Sequence, residues 1–209
     1  MSQADIDTFI TRVRVSSVGC DSLTSQGVAT AVGMKGVPVN GRHSSGWSAL
    51  HVAVHYQRRD LVAALLAAGA NANIKVKYGE TSVRWGASMS TAGILQLLIA
   101  GGGNVNEADN FGITPLIAAV RWNAHDAAAQ LQVLLMCPEL NLDATSHGKT
   151  AEEWAVVHCL PQLALAIAEE RARRERWSVF RAAWIGATAT GLLAAILEHT
   201  CIAYGSKPT

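Results

Sequence analysis

The chain has 209 residues, of which 50% are hydrophobic and 16% charged, and its formal net charge is +1. This balance excludes an intrinsically disordered chain, which has few apolar residues and many charges, and it provides no overall field that would attract nucleic acid or an acidic substrate. Aromatic residues make up only 6%. Because alanine and leucine dominate instead, the composition favours packed helices over a sandwich of sheets.

We expect no secretory signal in the N-terminal segment, because residues 1–10 contain Asp5 and Asp7 and lack an apolar core. We predict one helix over Asp5 to Val15 and a second over Thr24 to Met34. The segment from Gly36 to Asn40 resembles a glycine and asparagine pattern that returns later in the chain. The two predicted helices are therefore interpreted as a degenerate N-terminal cap of a helical array.

An internal repeat follows. Four similar blocks open with a glycine, at Gly46, Gly79, Gly112 and Gly148. The first two intervals are equal, and the third is slightly longer. An Asn-x-Asn pattern recurs at the same interval as the first glycines, from Asn73 to Asn106. The longer interval predicts an insertion between the two helices of the third block, around residues 123–129.

Each block predicts a helix, a turn, a second helix and a loop. A hydroxyl residue two positions after each opening glycine can cap the first helix; these are Ser48, Thr81, Thr114 and Thr150. In the first block the leucines and valine at positions 61, 62, 65 and 66 have helical spacing. Gly69 is expected to end that helix in a left-handed conformation, and residues 71–78 to form an extended loop. One such unit cannot bury both apolar faces, so the units must stack.

The blocks resemble the ankyrin repeat, whose signature is T-P-L-H-x-A with a period of 33, the interval from Gly46 to Gly79. Ser48 to Ala53 and Thr114 to Ala119 carry this signature, and the stretch from Leu65 to Asn73 carries the matching second half. The block from Gly79 departs from it, since Ser82-Val83-Arg84-Trp85 replaces the Pro-Leu-His core. The resemblance implies an all-α, ankyrin-type helical solenoid with extended loops between repeats. It also implies that His51 is a structural histidine between units.

We divide the chain into a solenoid with its two caps at residues 1–170 and a tail at residues 171–209. Thr150 to His158 and Leu163 to Ala168 form the predicted closing helix pair. The tail consists of an arginine-rich segment, an apolar helix at Val179 to Leu197 and a polar end. Two interpretations of that apolar helix stay open. It can pack against the last repeat of a cytoplasmic or nuclear protein, or it can anchor the chain in a membrane with the repeats facing the cytoplasm.

No motif indicates catalysis. The sequence lacks a glycine-rich phosphate loop, an HExxH pair and a GxSxG elbow, so we predict no enzyme, no cofactor and no metal site. His51 and His55 are four residues apart, but the structural role of His51 is favoured over metal binding. The four cysteines form no CxxC pair and are interpreted as reduced thiols; they are Cys20, Cys137, Cys159 and Cys201.

The predicted function is that of a protein-binding scaffold or adaptor, with a partner whose identity the sequence does not give. In proteins of this repeat type the loop tips and the first helices line a concave surface. We name the corresponding residues the predicted binding face: Trp47, Tyr56, Lys77, Tyr78, Glu80, Met89, Asp109, Phe111, Arg121 and Trp122. This set is rich in aromatic residues, which carry much of the energy at interfaces. Trp47, Tyr78, Phe111 and Trp122 are expected to be partly exposed, and Trp85 and Trp154 to lie in the core.

Overall fold

The computed structural model describes residues 3–16, 38–122 and 126–186. Within these ranges helix is the predominant secondary structure, as predicted, and strand is almost absent. The helices are α1 (Gln3–Ser16), α2 (Ala49–His55), α3 (Arg59–Ala67), α4 (Ser82–Met89), α5 (Ala92–Ala100), α6 (Pro115–Trp122), α7 (Ala127–Leu135), α8 (Ala151–Val157) and α9 (Pro161–Gly186). Two short strands, β1 (Thr145–Ser146) and β2 (Lys149–Thr150), pair antiparallel between α7 and α8.

The predicted N-caps are confirmed in all four blocks. Each hydroxyl accepts a hydrogen bond from the backbone N–H three residues later, with N···O distances of 3.4 Å at Ser48, 3.2 Å at Thr81, 3.4 Å at Thr114 and 3.3 Å at Thr150. At the fourth cap the Glu153 carboxylate also accepts from the Thr150 N–H at 2.8 Å, which completes a capping box. The start of each first helix is thus determined by local sequence.

The helix pairs stack in sequence order. The first helices α2, α4, α6 and α8 each contact the next one in the series, and so do the second helices α3, α5 and α7. Large apolar side chains from both rows are fully buried, among them Leu50, Leu61, Leu95, Leu116 and Leu134. Burying one such side chain stabilises the fold by about 1.5–3 kcal/mol. The predicted solenoid architecture is confirmed.

An asparagine ladder links each repeat to the next. The side chain of Asn73 accepts a hydrogen bond from Asn104 N at 2.7 Å and donates one to Gly102 O at 2.9 Å. Asn40 makes the same pair of bonds one repeat earlier, and Asn106 makes it one repeat later. Because one side chain satisfies two backbone groups of the following unit, the ladder explains why the asparagine recurs with the period of the fold.

The loops return as tight hairpins. His43 N, Val76 N and Asp109 N donate to the carbonyl oxygens four residues later, at distances of 2.7, 2.9 and 3.1 Å. The last loop becomes the β1–β2 hairpin, where His147 and Gly148 both have positive φ, at 52° and 72°. A two-residue turn with two positive φ angles matches the twist of paired strands. Gly69, with φ of 86°, adopts the left-handed conformation that was predicted.

The interval from Gly112 to Gly148 is 36 residues against 33 from Gly79 to Gly112, and the three extra residues are divided between two places. Helices α4 and α5 begin ten residues apart, at Ser82 and Ala92, whereas α6 and α7 begin twelve apart, at Pro115 and Ala127. Two extra residues therefore precede α7, near residues 123–125, which lie outside the described residues. The third falls in the loop after α7. The single insertion that was predicted is thus only partly correct.

Residues at the start of α7 stabilise the neighbouring repeat. Asp126 Oδ2 accepts a hydrogen bond from Ala92 N at 2.7 Å, at the N-terminus of α5. Gln130 is fully buried and its Nε2 donates to Gly86 O at 3.1 Å and to Ser90 O. These bonds satisfy backbone groups at the turn between α4 and α5.

The described residues divide into two units, one that ends at Ile167 and one that begins at Ala168. The predicted boundary at residue 170 stays a prediction. The short closing helix expected at Leu163 to Ala168 is instead part of α9, which continues to Gly186 because no glycine or proline interrupts residues 162–185. Within the second unit Glu170 pairs with Arg173 at 2.6 Å and Arg174 at 2.7 Å, at the helical spacings of three and four residues.

Two predicted segments lie wholly or largely outside the described residues. The helix expected over Thr24 to Met34 falls in the gap between residues 16 and 38. The apolar helix expected over Val179 to Leu197 is described only as far as Gly186. Across the described part of the chain, no helix combines the length and the hydropathy that crossing a bilayer requires.

Candidate protein-binding surface

The loop tips of the predicted binding face present three exposed side chains close together. The side chains of Tyr78 and Phe111 are 50% and 56% exposed, and their ring centroids are 6.4 Å apart. Lys77 Nζ lies 5.3 Å from the centre of the Tyr78 ring. The hairpin turns place these side chains, because Asn110 N donates to Tyr78 O at 2.9 Å and joins adjacent tips.

An aromatic cluster joins the first two repeats. The Trp47 ring lies 5.0 Å from Trp85 and 5.6 Å from His55, and His55 lies 5.0 Å from Tyr56. Trp47, Tyr56 and Trp85 are partly buried against the core. Trp85 was predicted to be a core residue and is instead part of this partly exposed cluster. Beside the cluster is an open cavity of about 240 Å³, lined by Ile10, Thr11, His43, Ser45, Trp47, Val52, His55 and Tyr56.

Three residues of the predicted binding face form a row at the ends of the first helices. Tyr56, Met89 and Trp122 follow one another at the repeat period, so they occupy the same position in successive repeats. Met89 is 49% exposed and Trp122 is 45% exposed, while Tyr56 is partly buried. The predicted partial exposure of Trp47, Tyr78, Phe111 and Trp122 is confirmed.

Asp109 has a different environment from the one expected, because its carboxylate is buried. Its Oδ1 accepts hydrogen bonds from Phe111 N at 2.9 Å and Ile113 N at 3.0 Å, and its Oδ2 lies 3.0 Å from Arg84 Nη2. Arg84 also lies 3.9 Å from Glu80. Asp109 therefore stabilises its loop and neutralises a buried arginine, and its side chain is not available at the surface.

A group of cations and indole rings extends from the second repeat to the fourth. The guanidinium carbon Cζ of Arg121 lies 4.6 Å from the centre of the Trp122 ring and 4.1 Å from the centre of the Trp154 ring. Arg84 Cζ lies 4.8 Å from the Trp122 ring. Trp154 Nε1 donates to Ser146 O at 3.2 Å, which fixes the ring in place. Stacking of this kind is favourable for arginine, whose planar cation is weakly hydrated.

Sequence reasoning missed Trp85 and Trp154 as parts of this surface, and it missed Arg84 as the buried cation beneath Trp122. Both tryptophans lie six residues after the opening glycine of their blocks, and both were assigned to the core from that helical position. Trp154 is partly buried, like Trp85. Their shared position in the repeat was the available signal, since an indole ring is too large to be enclosed where the other blocks place Val52 and Ala118.

His51 is fully buried, in agreement with a structural role. Its Nδ1 lies 2.7 Å from Ser48 Oγ. Burial lowers the pKa of His51 to about 4; the backbone of Glu80 in the next repeat partly offsets this, and the charge of Arg42 adds to it. The ring is therefore neutral at pH 7. In the described ranges, no group of three or more His, Cys, Asp or Glu side chains comes together as a metal site requires.

The chain is similar to one repeat-family model and to several known proteins. Residues 45–77, which cover one loop tip, α2 and α3, match the family model described as ankyrin repeat. The chain is 31% identical over 134 residues to human neurogenic locus notch homolog protein 2, and 34% identical over 113 residues to the human homolog protein 1. It is 40% identical over 91 residues to the neurogenic locus Notch protein of Drosophila melanogaster. These matches cover 63%, 53% and 43% of this chain. They span 5%, 4% and 3% of the relatives' own lengths.

Proposed function

Since this chain is an ankyrin-repeat protein, we propose that it is a scaffold or adaptor that binds a partner protein through its loop tips and first helices. Repeats of this family are in general modules for interaction between proteins. The observation that carries the proposal is the exposure of Trp122 and Phe111, which are 45% and 56% exposed. Large aromatic side chains exposed on one face are typical of interfaces.

Equivalent positions in successive repeats distinguish residues that the fold requires from residues that vary. Leu50 and Leu116 occupy the same position in the first and third repeats, and both are fully buried. Tyr56, Met89 and Trp122 also share one position, yet they differ in size and chemistry. Because the same backbone accepts all three, the frame does not require any of them. Their identity therefore supports a role in partner recognition.

We propose no catalytic role, because proteins of this repeat family are generally interaction modules. We also propose the cytoplasm or nucleus as the site of action. The four cysteines form no CxxC pair, a usage that supports a reducing compartment. Membrane attachment through residues 179–197 is the alternative. In fractionated cells, the full chain should behave like a chain shortened after Gly186. Retention of only the full chain in carbonate-washed membranes would contradict this proposal.

The binding function is tested with the intact chain and two single-residue variants, Trp122→Ala and Phe111→Ala. A partner is first captured from cell extract, and its affinity for each variant is then measured. Each substitution should weaken binding by about 2 kcal/mol or more, or about 30-fold, if the residue is a hot spot. Melting temperatures should change little, because both side chains are half exposed.

Met136→Ala is the matched control. Met136 is 81% exposed but follows the second helix α7, away from the first helices and loop tips. This substitution should leave the affinity unchanged. Equal binding by all three variants would contradict the proposed surface. So would a collapse of the melting temperature in Trp122→Ala, because that residue would then be part of the core.

A further inference from the structure

Arg121 carries a charge that nothing in the described chain neutralises. Its Nε and Nη1 atoms are buried and have no hydrogen-bond partner. No carboxylate of the described residues lies within ion-pairing distance of it, whereas Arg84 is paired with Asp109 at 3.0 Å and Glu80 at 3.9 Å. Unpaired buried donors are costly, so Arg121 is held in its position at the expense of stability.

The surroundings of Arg121 hold the guanidinium ready for a ligand. Its Cζ lies over the Trp122 and Trp154 rings at 4.6 and 4.1 Å. Lys149 Nζ lies 5.9 Å from the centre of the Trp154 ring and adds a second positive charge. We call Arg121, Trp122, Lys149 and Trp154 the Arg121 surface. Contact with the two rings restricts the motion of the guanidinium, so less entropy is lost when an anion binds.

We propose that the Arg121 surface binds an aspartate or glutamate side chain in an acidic segment of the partner protein. Nη2 is the guanidinium nitrogen of Arg121 that is not enclosed, and a carboxylate that accepts a hydrogen bond from it supplies the missing charge. The aromatic cluster of Trp47 and Trp85 lies in the first two repeats and has no charged partner of this kind among the described residues. The position of the acidic residue therefore determines the orientation of the bound segment, because the end that carries this residue lies over the third and fourth repeats.

This inference rests on the proposed function and is tested with defined peptides. A phage-displayed library of random 12-residue peptides is selected on the intact chain. Selected sequences should contain Asp or Glu more often than the unselected library. The affinity of one synthetic peptide is then measured by fluorescence anisotropy, beside a version in which the acid is replaced by its amide. The amide version should bind at least 10-fold more weakly.

A double-mutant cycle locates the contact. Arg121→Gln should weaken binding of the acidic peptide at least 10-fold, but should have little effect on the amide peptide, because the two changes remove the same interaction. Arg59→Gln is the matched control, since Arg59 is exposed on the second helix α3. The comparison of the acidic peptide with its amide version uses only the unmodified protein. It therefore still tests the inference if the Arg121→Gln variant is unstable.

The outcomes separate this inference from the proposed function. One outcome is a set of selected peptides that bind the unmodified chain more tightly than Trp122→Ala and yet contain no acidic residue, or bind equally well as the acid and as the amide. Such peptides overturn the carboxylate inference and leave the proposed function standing. A peptide that binds only when phosphoserine replaces the acid also overturns it, in favour of a phosphate ligand. Selected peptides that are insensitive to Trp122→Ala and Phe111→Ala, or a library that yields no binder, contradict both.

Discussion

His51 should make the stability of the solenoid depend on pH in a way that one substitution can isolate. The imidazole is completely buried, and its pKa is lowered to about 4 from an ordinary value of 6.5. Between these two values the unfolded chain binds a proton that the folded chain excludes. The folded state therefore has its full stability above pH 6.5 and loses stability as the pH falls towards 4.

The size of the effect follows from the two pKa values. The difference between 6.5 and about 4, at about 1.36 kcal/mol per pKa unit, amounts to about 3 kcal/mol when the pH is below both values. At pH 5 about 2 kcal/mol of this is already lost. A loss of this size is a large part of the stability of an ordinary domain, which is about 5–15 kcal/mol.

The measurement is urea unfolding of the intact chain, followed by circular dichroism between pH 5 and pH 7.5. His51→Gln removes the titrating group but keeps a polar side chain. As the pH is lowered from 7.5 to 5, the free energy of unfolding of the unmodified chain should fall by about 2 kcal/mol more than that of the His51→Gln variant. His158→Gln, at an exposed histidine that stacks on Trp154, serves as the control and should follow the unmodified chain. Parallel curves for the unmodified chain and His51→Gln would refute the assignment.

Two further stability predictions concern contacts between repeats. Asn73→Ala removes the bonds to Asn104 N and Gly102 O and should lower the free energy of unfolding by about 2 kcal/mol; an unchanged urea midpoint would show that the ladder contributes nothing. Arg84→Gln or Asp109→Asn alone should cost about 3 kcal/mol, because each removes one member of a buried ion pair. The double variant should lose less than the sum of the two, and strict additivity would mean that the ion pair is not coupled.

Features that depend on neighbouring positions in the sequence could be predicted. The N-caps at Ser48 and Thr81 act on backbone groups only three residues away, so the sequence motif contains both partners of the bond. The left-handed turn at Gly69 is likewise a property of one residue type. The repeat period then predicts the stacking order, because similar units must bury similar apolar faces against each other.

The environment of each surface residue depended on contacts between repeats. Asp109 has the exposed-loop position of a binding residue, but Arg84, from the first helix of the preceding repeat, reaches it and buries the pair. Trp85 and Trp154 have core-like helix positions, but their indole rings exceed the space between adjacent helices and remain partly exposed. The length and shape of a side chain in the next repeat decide such cases. The sequence therefore determined the stacked helix pairs and the row of variable positions at the ends of the first helices. The packing between repeats decided which of those side chains reach the surface, because exposure depends on distances across repeats that no local pattern contains.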